Sequence, residues 1–462
     1  MSDPTICTPA AWAQQTFGDV RLGDPRRTAR AVRVAAALAG APSASLPTQV
    51  EDLAALKGSY HLLHSPRVSH AVLSTPHWTA TRTAAGQHPV VLLVGDLTIL
   101  DYSHHPKTTG LGPVGDGRGR GYVVHSVLAL LPDPRQVLGL AHQIPQVPAA
   151  KRPGETLRQM QARERQTDLW AAAVEAIGCP PEGVRWVHVG DRGSDIFRFL
   201  VACRQHGCDF LVRANQNRRV RTQEGELGYL KPVVRGWPSR GERRLALPAS
   251  HGQPARDAKV LISWQRLQLQ VPQLEPADAP LDAWVIRVWE PSPPASVNEP
   301  LEWLLLSSLP VTTEQDAWEK VQWYTCRWTI EDYHQCLKSG CRIEERNLGD
   351  QPALERLLGL CAPIAVQLLQ LRDAARIAPD RPALTVIEPE IVEVVATLSG
   401  TNADTMTTQT FYHLIARRGG WLARNGDGPP GWKTLWRGWQ DIRLILEGVR
   451  LARAAPSAPT CG

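Results

Sequence analysis

Two short apolar runs, each closed by a Gly-Asp pair, constrain the fold of this chain more than any other feature. The runs at 90–94 and 186–189 have the length of buried strands, and after one glycine each they lead to Asp96 and Asp191. Helical patterns alternate with these runs and with further strand patterns along the chain. This alternation predicts an α/β domain built on a central sheet.

Changes of pattern divide the chain into three regions. Residues 1–70 predict a small helical domain, residues 71–375 carry the α/β pattern, and residues 376–462 predict a helical domain after a proline-bearing linker. Inside the second region, polar and apolar residues alternate from about 214 to 300. That alternation predicts a β-rich insertion with one solvated face.

A basic stripe is predicted in the N-terminal region. Asp24-Pro25 is a helix-start signal, and Arg26, Arg30 and Arg33 follow at the i, i+4 and i+7 positions of that helix. The stripe has two interpretations. It is either a solvated face or a phosphate-binding face, because a guanidinium offers phosphate oxygens a planar pair of donors.

A second group of polar residues recurs at helical spacing later in the chain. Neither Gly nor Pro interrupts residues 314–339, so the sequence predicts one helix there. On such a helix Tyr324, Arg327, Glu331 and Lys338 fall within an arc of about 60°. The alternative to a functional face is a solvated salt bridge of Glu331, worth only about 0.3–0.5 kcal/mol.

Three carboxylates supplied by two strands and one helix suggest metal chemistry. Asp96, Asp191 and Glu331 offer the oxygen ligands that a pair of Mg²⁺ ions prefers, and such a pair would hold the attacking and leaving oxygens of a phosphodiester. Arg327 and Lys338 beside them would neutralise phosphate. A carboxylate site surrounded by cations implies a polyanionic substrate, and the net charge of +6 leans toward nucleic acid.

Composition excludes several other classes of protein. With 43% hydrophobic and 21% charged residues the chain is not disordered, and its nine cysteines include no CxxC pair for a structural zinc site. The longest apolar runs are far shorter than the ~20 residues of a membrane span. The first residues lack a basic leader followed by an apolar stretch. We therefore expect a cytoplasmic protein with reduced thiols and no membrane partner.

The spacing Tyr324-x2-Arg327-x3-Glu331-x6-Lys338 resembles the signature of the DDE transposases of insertion-sequence family four. The chain also contains blocks that are similar to those of the transposon-five transposase, in the same order, at 22–30, 190–195, 303–306 and 415–420. The resemblance extends over nearly the whole chain and is weakest at 214–300.

The resemblance implies an RNase H-like catalytic domain at 71–375, an N-terminal DNA-end-binding domain at 1–70 and a C-terminal dimerisation domain at 376–462. Asp96, Asp191 and Glu331 would be the catalytic residues and the ligands of two Mg²⁺ ions, with Mn²⁺ as a substitute. The remaining residues that the resemblance assigns would bind DNA; they are Tyr324, Arg327, Lys338, Trp303, Trp328, Arg26, Arg27, Arg30 and Arg213.

The resemblance also implies the reaction. Such enzymes cut their element out of DNA at terminal inverted repeats through a hairpin intermediate and join it to target DNA, acting as a homodimer associated with the bacterial nucleoid. Trp303 and Trp328 would receive or displace a flipped base, unless both are core residues. Two alternatives remain: a catalytically silent DNA-binding inhibitor of transposition and a metal-dependent DNA nuclease.

Overall fold

A mixed β-sheet runs through the molecule. The computed structural model describes residues 8–50, 52–149, 154, 165–247, 256–273, 279–294, 297, 300–424 and 428–454. Within these residues twelve strands form one sheet. The strands are β1 (Val90–Asp101), β2 (Gly112–Val114), β3 (Gly119–Pro132), β4 (Arg135–Gln146), β5 (Arg185–Gly190), β6 (Asp209–Arg213), β7 (Arg219–Arg221), β8 (Leu227–Tyr229), β9 (Gly241–Leu247), β10 (Arg256–Leu269), β11 (Leu281–Trp289) and β12 (Glu302–Ser307).

Helices cover both faces of the sheet and are the first and last elements of the described residues. They are α1 (Pro9–Phe17), α2 (Pro25–Gly40), α3 (Leu46–Gln49), α4 (Leu53–Leu63), α5 (His70–Ala85), α6 (Asp168–Ile177), α7 (Phe197–Gln205), α8 (Leu230–Arg235), α9 (Glu314–Thr325), α10 (Trp328–Gln335), α11 (Gln351–Ile377), α12 (Pro389–Ser399), α13 (Thr408–Arg418) and α14 (Trp432–Ala454).

The order of the strands combines antiparallel and parallel pairing. β4, β3 and β1 are antiparallel neighbours, whereas β5 pairs parallel with both β1 and β6. Next to β6 come β12, β11 and β10, all antiparallel. The strands of the predicted insertion therefore extend the central sheet instead of folding apart from it. The predicted α/β class, with a β-rich insertion and helical regions on either side, is confirmed.

Alternate residues of β1 enter different cores. Leu92 and Val94 belong to the larger core, which includes α11, and Val91 and Leu93 belong to a second core with α6 and α7. Helix α11 contains an 18-residue window apolar enough to cross a membrane, but 78% of that window is buried within the fold. Its apolar character is explained by its position between the sheet and the terminal helices.

Two local predictions are wrong. β1 does not end at Asp96; it continues to Asp101, because the antiparallel pairing with β3 extends from Leu92↔Leu130 to Asp101↔Gly121. The predicted helix at 314–339 is not continuous. It tightens at Cys326 and Arg327, where backbone N–H groups bond three residues back, and it ends in a π-helical turn at Cys336–Gly340.

Candidate active site

The register between β1 and β5 brings the two predicted aspartates to one level of the sheet. The last parallel pair is Val94↔Val189, and Asp96 and Asp191 each lie two residues beyond it. β5 then leaves the sheet in a tight turn at Arg192–Ser194, while β1 continues beside β3. The two carboxylates therefore lie where the neighbouring strands diverge, which opens a crevice at the strand ends.

Both glycines that precede these aspartates are required by one tryptophan. A Cβ on Gly95 would lie 3.0 Å from Cζ3 of Trp170, and one on Gly190 would lie 2.9 Å from the same atom. On Gly190 the Cβ would also lie 2.4 Å from the Ser194 hydroxyl. Because side chains alternate across a strand, each aspartate points to the opposite face, toward α9 and α10. In each Gly-Asp pair, the glycine therefore allows close packing on one face of the sheet and the aspartate places a carboxylate on the other face.

Asp96 carries a perturbed carboxyl. Burial, then the charge of Asp191, raises the pKa of Asp96 to about 6, and repulsion by Glu331 adds to this. The backbone N–H of Leu97, which donates to Oδ1 at 2.8 Å, and the Arg327 guanidinium act in the opposite direction. A half-buried carboxylate pair with this excess of negative charge favours a cation.

Asp191 is positioned by the turn that it begins. Its Oδ1 accepts from the Gly193 N–H at 2.8 Å, and its carbonyl accepts from the Ser194 hydroxyl at 2.6 Å. Asp195 stabilises the far end of the turn. Its buried carboxylate accepts hydrogen bonds from the Arg218 guanidinium, with Nε at 3.0 Å, and from two backbone N–H groups in the loop after β6. The sequence showed Asp195 but not this positioning contact.

Arg327 links the first and third predicted carboxylates. Its Nη2 lies 2.7 Å from Oε1 of Glu331, and its Nη1 lies 3.7 Å from Oδ2 of Asp96. The Arg327 side chain is 13% exposed, whereas that of Glu331 is 54% exposed. Asp96, Asp191 and Arg327 thus meet as predicted, and Glu331 lies at the solvent edge of the group.

Aromatic rings form one wall beside these charges. The ring of Trp303 packs edge-on against Tyr324 at 5.4 Å and against Trp328 at 6.2 Å. Tyr324 and Trp303 are buried, while Trp328 is 40% exposed. Arg213 lies beside the Tyr324 hydroxyl, and its Nη2 donates to the Glu302 carbonyl at 3.1 Å. The structure therefore gathers four of the predicted DNA-binding residues around the carboxylates.

Lys338 lies near Asp101, the last residue of β1, and not beside Asp96. Its Nζ is 3.2 Å from Oε1 of Glu344, and the same carboxylate oxygen accepts from the Asp101 N–H at 2.9 Å.

The three predicted DNA-binding arginines of the N-terminal region differ in their contacts. Arg26 is exposed and paired with Asp24, Arg27 donates to the Leu22 carbonyl, and the Arg30 guanidinium rests over Gly58 of α4.

A buried ion-pair network beside Glu331 has no signal in the sequence. Arg372 of α11 is 8% exposed and lies 2.5 Å from Asp332 and 3.1 Å from Asp373. Asp373 in turn accepts from the Val137 N–H of β4 at 2.9 Å. The network joins α10, α11 and the sheet. Arg372 and Asp373 are adjacent, but Asp332 is 40 residues from Arg372 and Val137 is 236 residues from Asp373, so that no local pattern reveals the network.

The donors fit a divalent cation by their chemistry. Asp96 and Asp191 supply oxygen ligands on one face of the sheet, and Asp96 is held in a setting of excess negative charge. Among the described residues, no three His, Cys, Asp or Glu side chains already converge tightly enough to hold one ion. Glu331, held by Arg327, has to turn toward the aspartates to complete the set of three.

Three family models match the chain in succession. A transposase DNA-binding model matches residues 9–68, a transposase DDE domain model matches residues 185–366, and a transposase Tn5 dimerisation domain model matches residues 364–458. Asp191 and Glu331 lie within the DDE match, and Asp96 precedes it. A DDE domain implies dependence on a divalent metal ion. The chain therefore belongs to the Tn5-like DDE transposases, which are enzymes that cleave DNA and transfer its strands.

Proposed function

We propose that this protein catalyses cut-and-paste transposition of an insertion sequence through a hairpin intermediate. The observation that carries the proposal is the pairing of β1 with β5, because it sets Asp96 and Asp191 at one level of the sheet beside Arg327 and Glu331. A paired carboxylate site with adjacent cations suits a phosphodiester. We assign Asp96, Asp191 and Glu331 as the catalytic residues and metal ligands.

The proposed reaction has four displacements at phosphorus. Water attacks at the transposon end, and the 3′-oxygen leaves as a hydroxyl. That 3′-OH attacks the opposite strand, which forms the hairpin and releases the flanking DNA. A second water reopens the hairpin, and the regenerated 3′-OH then joins the target strand. Two Mg²⁺ ions, or Mn²⁺ in their place, would activate the attacking oxygen and stabilise the leaving oxygen when bound.

The protein's own side chains orient the DNA. Arg327 and Lys338 neutralise phosphate oxygens beside the reacting bond, and the Tyr324 hydroxyl donates to a phosphate oxygen. Trp328, with its exposed ring, stacks on or displaces a flipped base, and the more buried Trp303 supports it edge-on. Base stacking of this kind is worth about 1–3 kcal/mol.

The partners follow from the regions at either end. We propose that the N-terminal helices bind double-stranded transposon ends through Arg26, Arg27 and Arg30, with Arg213 contacting DNA near the site. The C-terminal helices pair two protomers into a homodimer that holds two ends and then receives target DNA. Such a protein acts in the bacterial cytoplasm, associated with the nucleoid.

The test uses the full chain, Mg²⁺ and DNA that carries the element's own terminal repeat, resolved on a denaturing gel. We expect a nick at the end, then a hairpin, with both lost in Asp96→Ala, Asp191→Ala and Glu331→Ala while end binding persists. Glu345→Ala is the matched control, because Glu345 is exposed and pairs with nearby Arg342. Full cleavage in any triad variant would refute the assignment.

The same gel separates the two alternatives. Cleavage without a hairpin would indicate a metal-dependent nuclease or another transposition route. End binding without any cleavage by the unmodified protein would indicate a catalytically silent inhibitor. The intact set of carboxylates argues against the inhibitor, and the aromatic wall of Trp303 and Trp328 beside them argues against a simple nuclease.

A further inference from the structure

Arg327 stands between two carboxylates that the reaction needs free. Its guanidinium is 2.7 Å from Glu331 and 3.7 Å from Asp96, and its side chain is largely buried. The other groups that face it are Tyr324 and Arg213, and Asp191 lies beside Asp96. One positive charge therefore compensates two of the three carboxylates in the DNA-free chain.

This arrangement occupies the third ligand. Glu331 extends toward Arg327, and no three carboxylates among the described residues converge on one point. A cationic guanidinium and a divalent ion also repel each other at close range. For Glu331 to join Asp96 and Asp191, its bond to Arg327 has to break.

We propose that Arg327 is an internal counter-cation that keeps the carboxylates from binding metal until transposon-end DNA is present. A phosphate of the end accepts the guanidinium in place of Glu331, and Glu331 is released to turn toward the aspartates. This inference rests on the proposed function, since it needs the three carboxylates to be metal ligands. It adds a coupling: end binding strengthens metal binding, and by linkage metal strengthens end binding by the same factor.

The coupling is measured without catalysis. Mn²⁺ binding to the full-length protein is followed by electron paramagnetic resonance, alone and with a pre-cleaved end duplex that leaves no strand to hydrolyse. Each protein is compared with its Asp96→Asn counterpart, so that ions bound by DNA or elsewhere cancel. The variants are Arg327→Gln and Arg327→Lys. The matched control is Arg185→Gln, which removes a half-exposed guanidinium paired with Asp209 at the opposite end of β5.

We expect end DNA to tighten Mn²⁺ binding by unmodified protein about tenfold or more. Arg327→Gln should bind Mn²⁺ about tenfold more tightly than unmodified protein without DNA, and DNA should add little to it. Arg327→Lys, which keeps a cation at the site, and Arg185→Gln should stay within about threefold of unmodified protein without DNA. Equal or weaker Mn²⁺ binding by DNA-free Arg327→Gln would overturn the proposal.

Three further outcomes are decisive. If Arg327→Gln is unfolded without metal, Mn²⁺ should raise its melting temperature more than that of unmodified protein, and no such rise would overturn the proposal equally. If Mn²⁺ binds with or without DNA but independently of both Asp96 and Asp191, the proposed metal site fails and this inference fails with it. Binding that depends on Asp96 but ignores Arg327 would overturn the inference alone.

Discussion

At the scale of single residues, Asp96 shows that the site lowers the stability of the fold at neutral pH. The pKa of Asp96 is raised to about 6 by burial and by Asp191, whereas an unfolded aspartate has a pKa of 3.8. The folded chain therefore holds this proton more tightly than the unfolded chain, and stability is lost as the pH rises from about 4 to about 6. A charged Asp96 opposes folding at neutral pH unless a cation compensates it.

We expect Asp96→Asn to be more stable than unmodified protein at pH 7 in metal-free buffer. The pKa difference converts to a gain of about 1–3 kcal/mol that disappears below about pH 4. Chemical denaturation in chelator at both pH values measures it. Asp101→Asn on the same strand is the contrast, because the Ser103 hydroxyl and N–H lower the pKa of Asp101. That variant should lose stability at pH 7, and a gain there would contradict the argument.

Gly190 shows how a residue without a side chain can position a proposed catalytic residue. A Cβ at this position would lie 2.4 Å from the Ser194 hydroxyl and 2.9 Å from Trp170. Gly190→Ala should therefore displace the turn that holds Asp191, destabilise the protein by about 1–3 kcal/mol and slow end nicking. Gly349→Ala is the control, with no atom within 4 Å of its added Cβ. Melting temperatures and nicking rates of the two variants test this prediction. Equal melting temperatures and equal nicking rates would contradict the role of packing at Gly190.

At the scale of elements, the orientation of α10 depends on α11 as well as on the sheet. α10 carries Glu331, begins after a tightened turn at Cys326 and ends in a π-helical turn, and its Tyr333 hydroxyl accepts from the Gln143 side chain of β4 at 3.1 Å. Arg372 of α11 binds Asp332, the residue after Glu331, while Asp373 beside it binds the sheet. The direction of α10 thus depends on a buried guanidinium in another helix.

Removing that guanidinium should be costly. Arg372→Gln would leave the buried Asp373 carboxylate without its guanidinium partner. The expected decrease in the free energy of unfolding is about 3–5 kcal/mol. Arg185→Gln removes an arginine from an ion pair that is half exposed, and it should cost less than about 1 kcal/mol. The denaturation midpoints of Arg372→Gln and Arg185→Gln measure this difference in stability. Nicking per active dimer should fall in Arg372→Gln with end affinity kept, and unaltered nicking would exclude a positioning role for the network.

At the scale of the whole molecule, two arginines, the buried Arg346 and the partly buried Arg356, hold the N-terminal helices against the central region. Arg346 donates to the carbonyls of Pro42 and Ala44 as well as to Cys341 in its own region. Arg356 of α11 donates to the carbonyls of Leu63 and Val68, at 2.8 Å and 2.6 Å. The proposed end-binding helices are therefore held by backbone contacts rather than by a linker alone.

Arg346→Met should loosen this attachment without unfolding the sheet. The carbonyls of Pro42 and Ala44 would lose a charged donor, and an unpaired buried carbonyl costs about 1–3 kcal/mol. We expect amide exchange at residues 41–49 to rise about tenfold or more while β1 and β5 exchange as before. Hydrogen–deuterium exchange with mass spectrometry measures this. Arg342→Met, which removes an exposed arginine, is the control, and equal exchange in both variants would refute the role of Arg346.

Local patterns were sufficient to predict much of the fold. The apolar runs before Asp96 and Asp191 predicted β1 and β5, because burial and chain propensity act over a few residues. The apolar residues Cys326, Ile330 and Tyr333 recur every three to four residues, as on one face of a helix, and all three are buried. The tightened turn at Cys326 was not predictable, because neither Gly nor Pro marks it in the sequence. It accompanies a tertiary contact: Tyr324 before the turn and Trp328 after it both pack against Trp303 of β12.

The sequence by itself determined which residue types are available: strand-borne aspartates after glycines, a helical set of Tyr, Arg, Glu and Lys, and the order of the three regions. Only the tertiary structure decided which of them touch. Three features join residues far apart in the chain: the ion pair of Arg327 with Asp96, the pairing of the insertion's strands with the central sheet, and the ion pair of Arg372 with Asp332 of α10. Strand register and helix packing set such contacts, and both depend on the free energy of the assembled core rather than on any local run of residues.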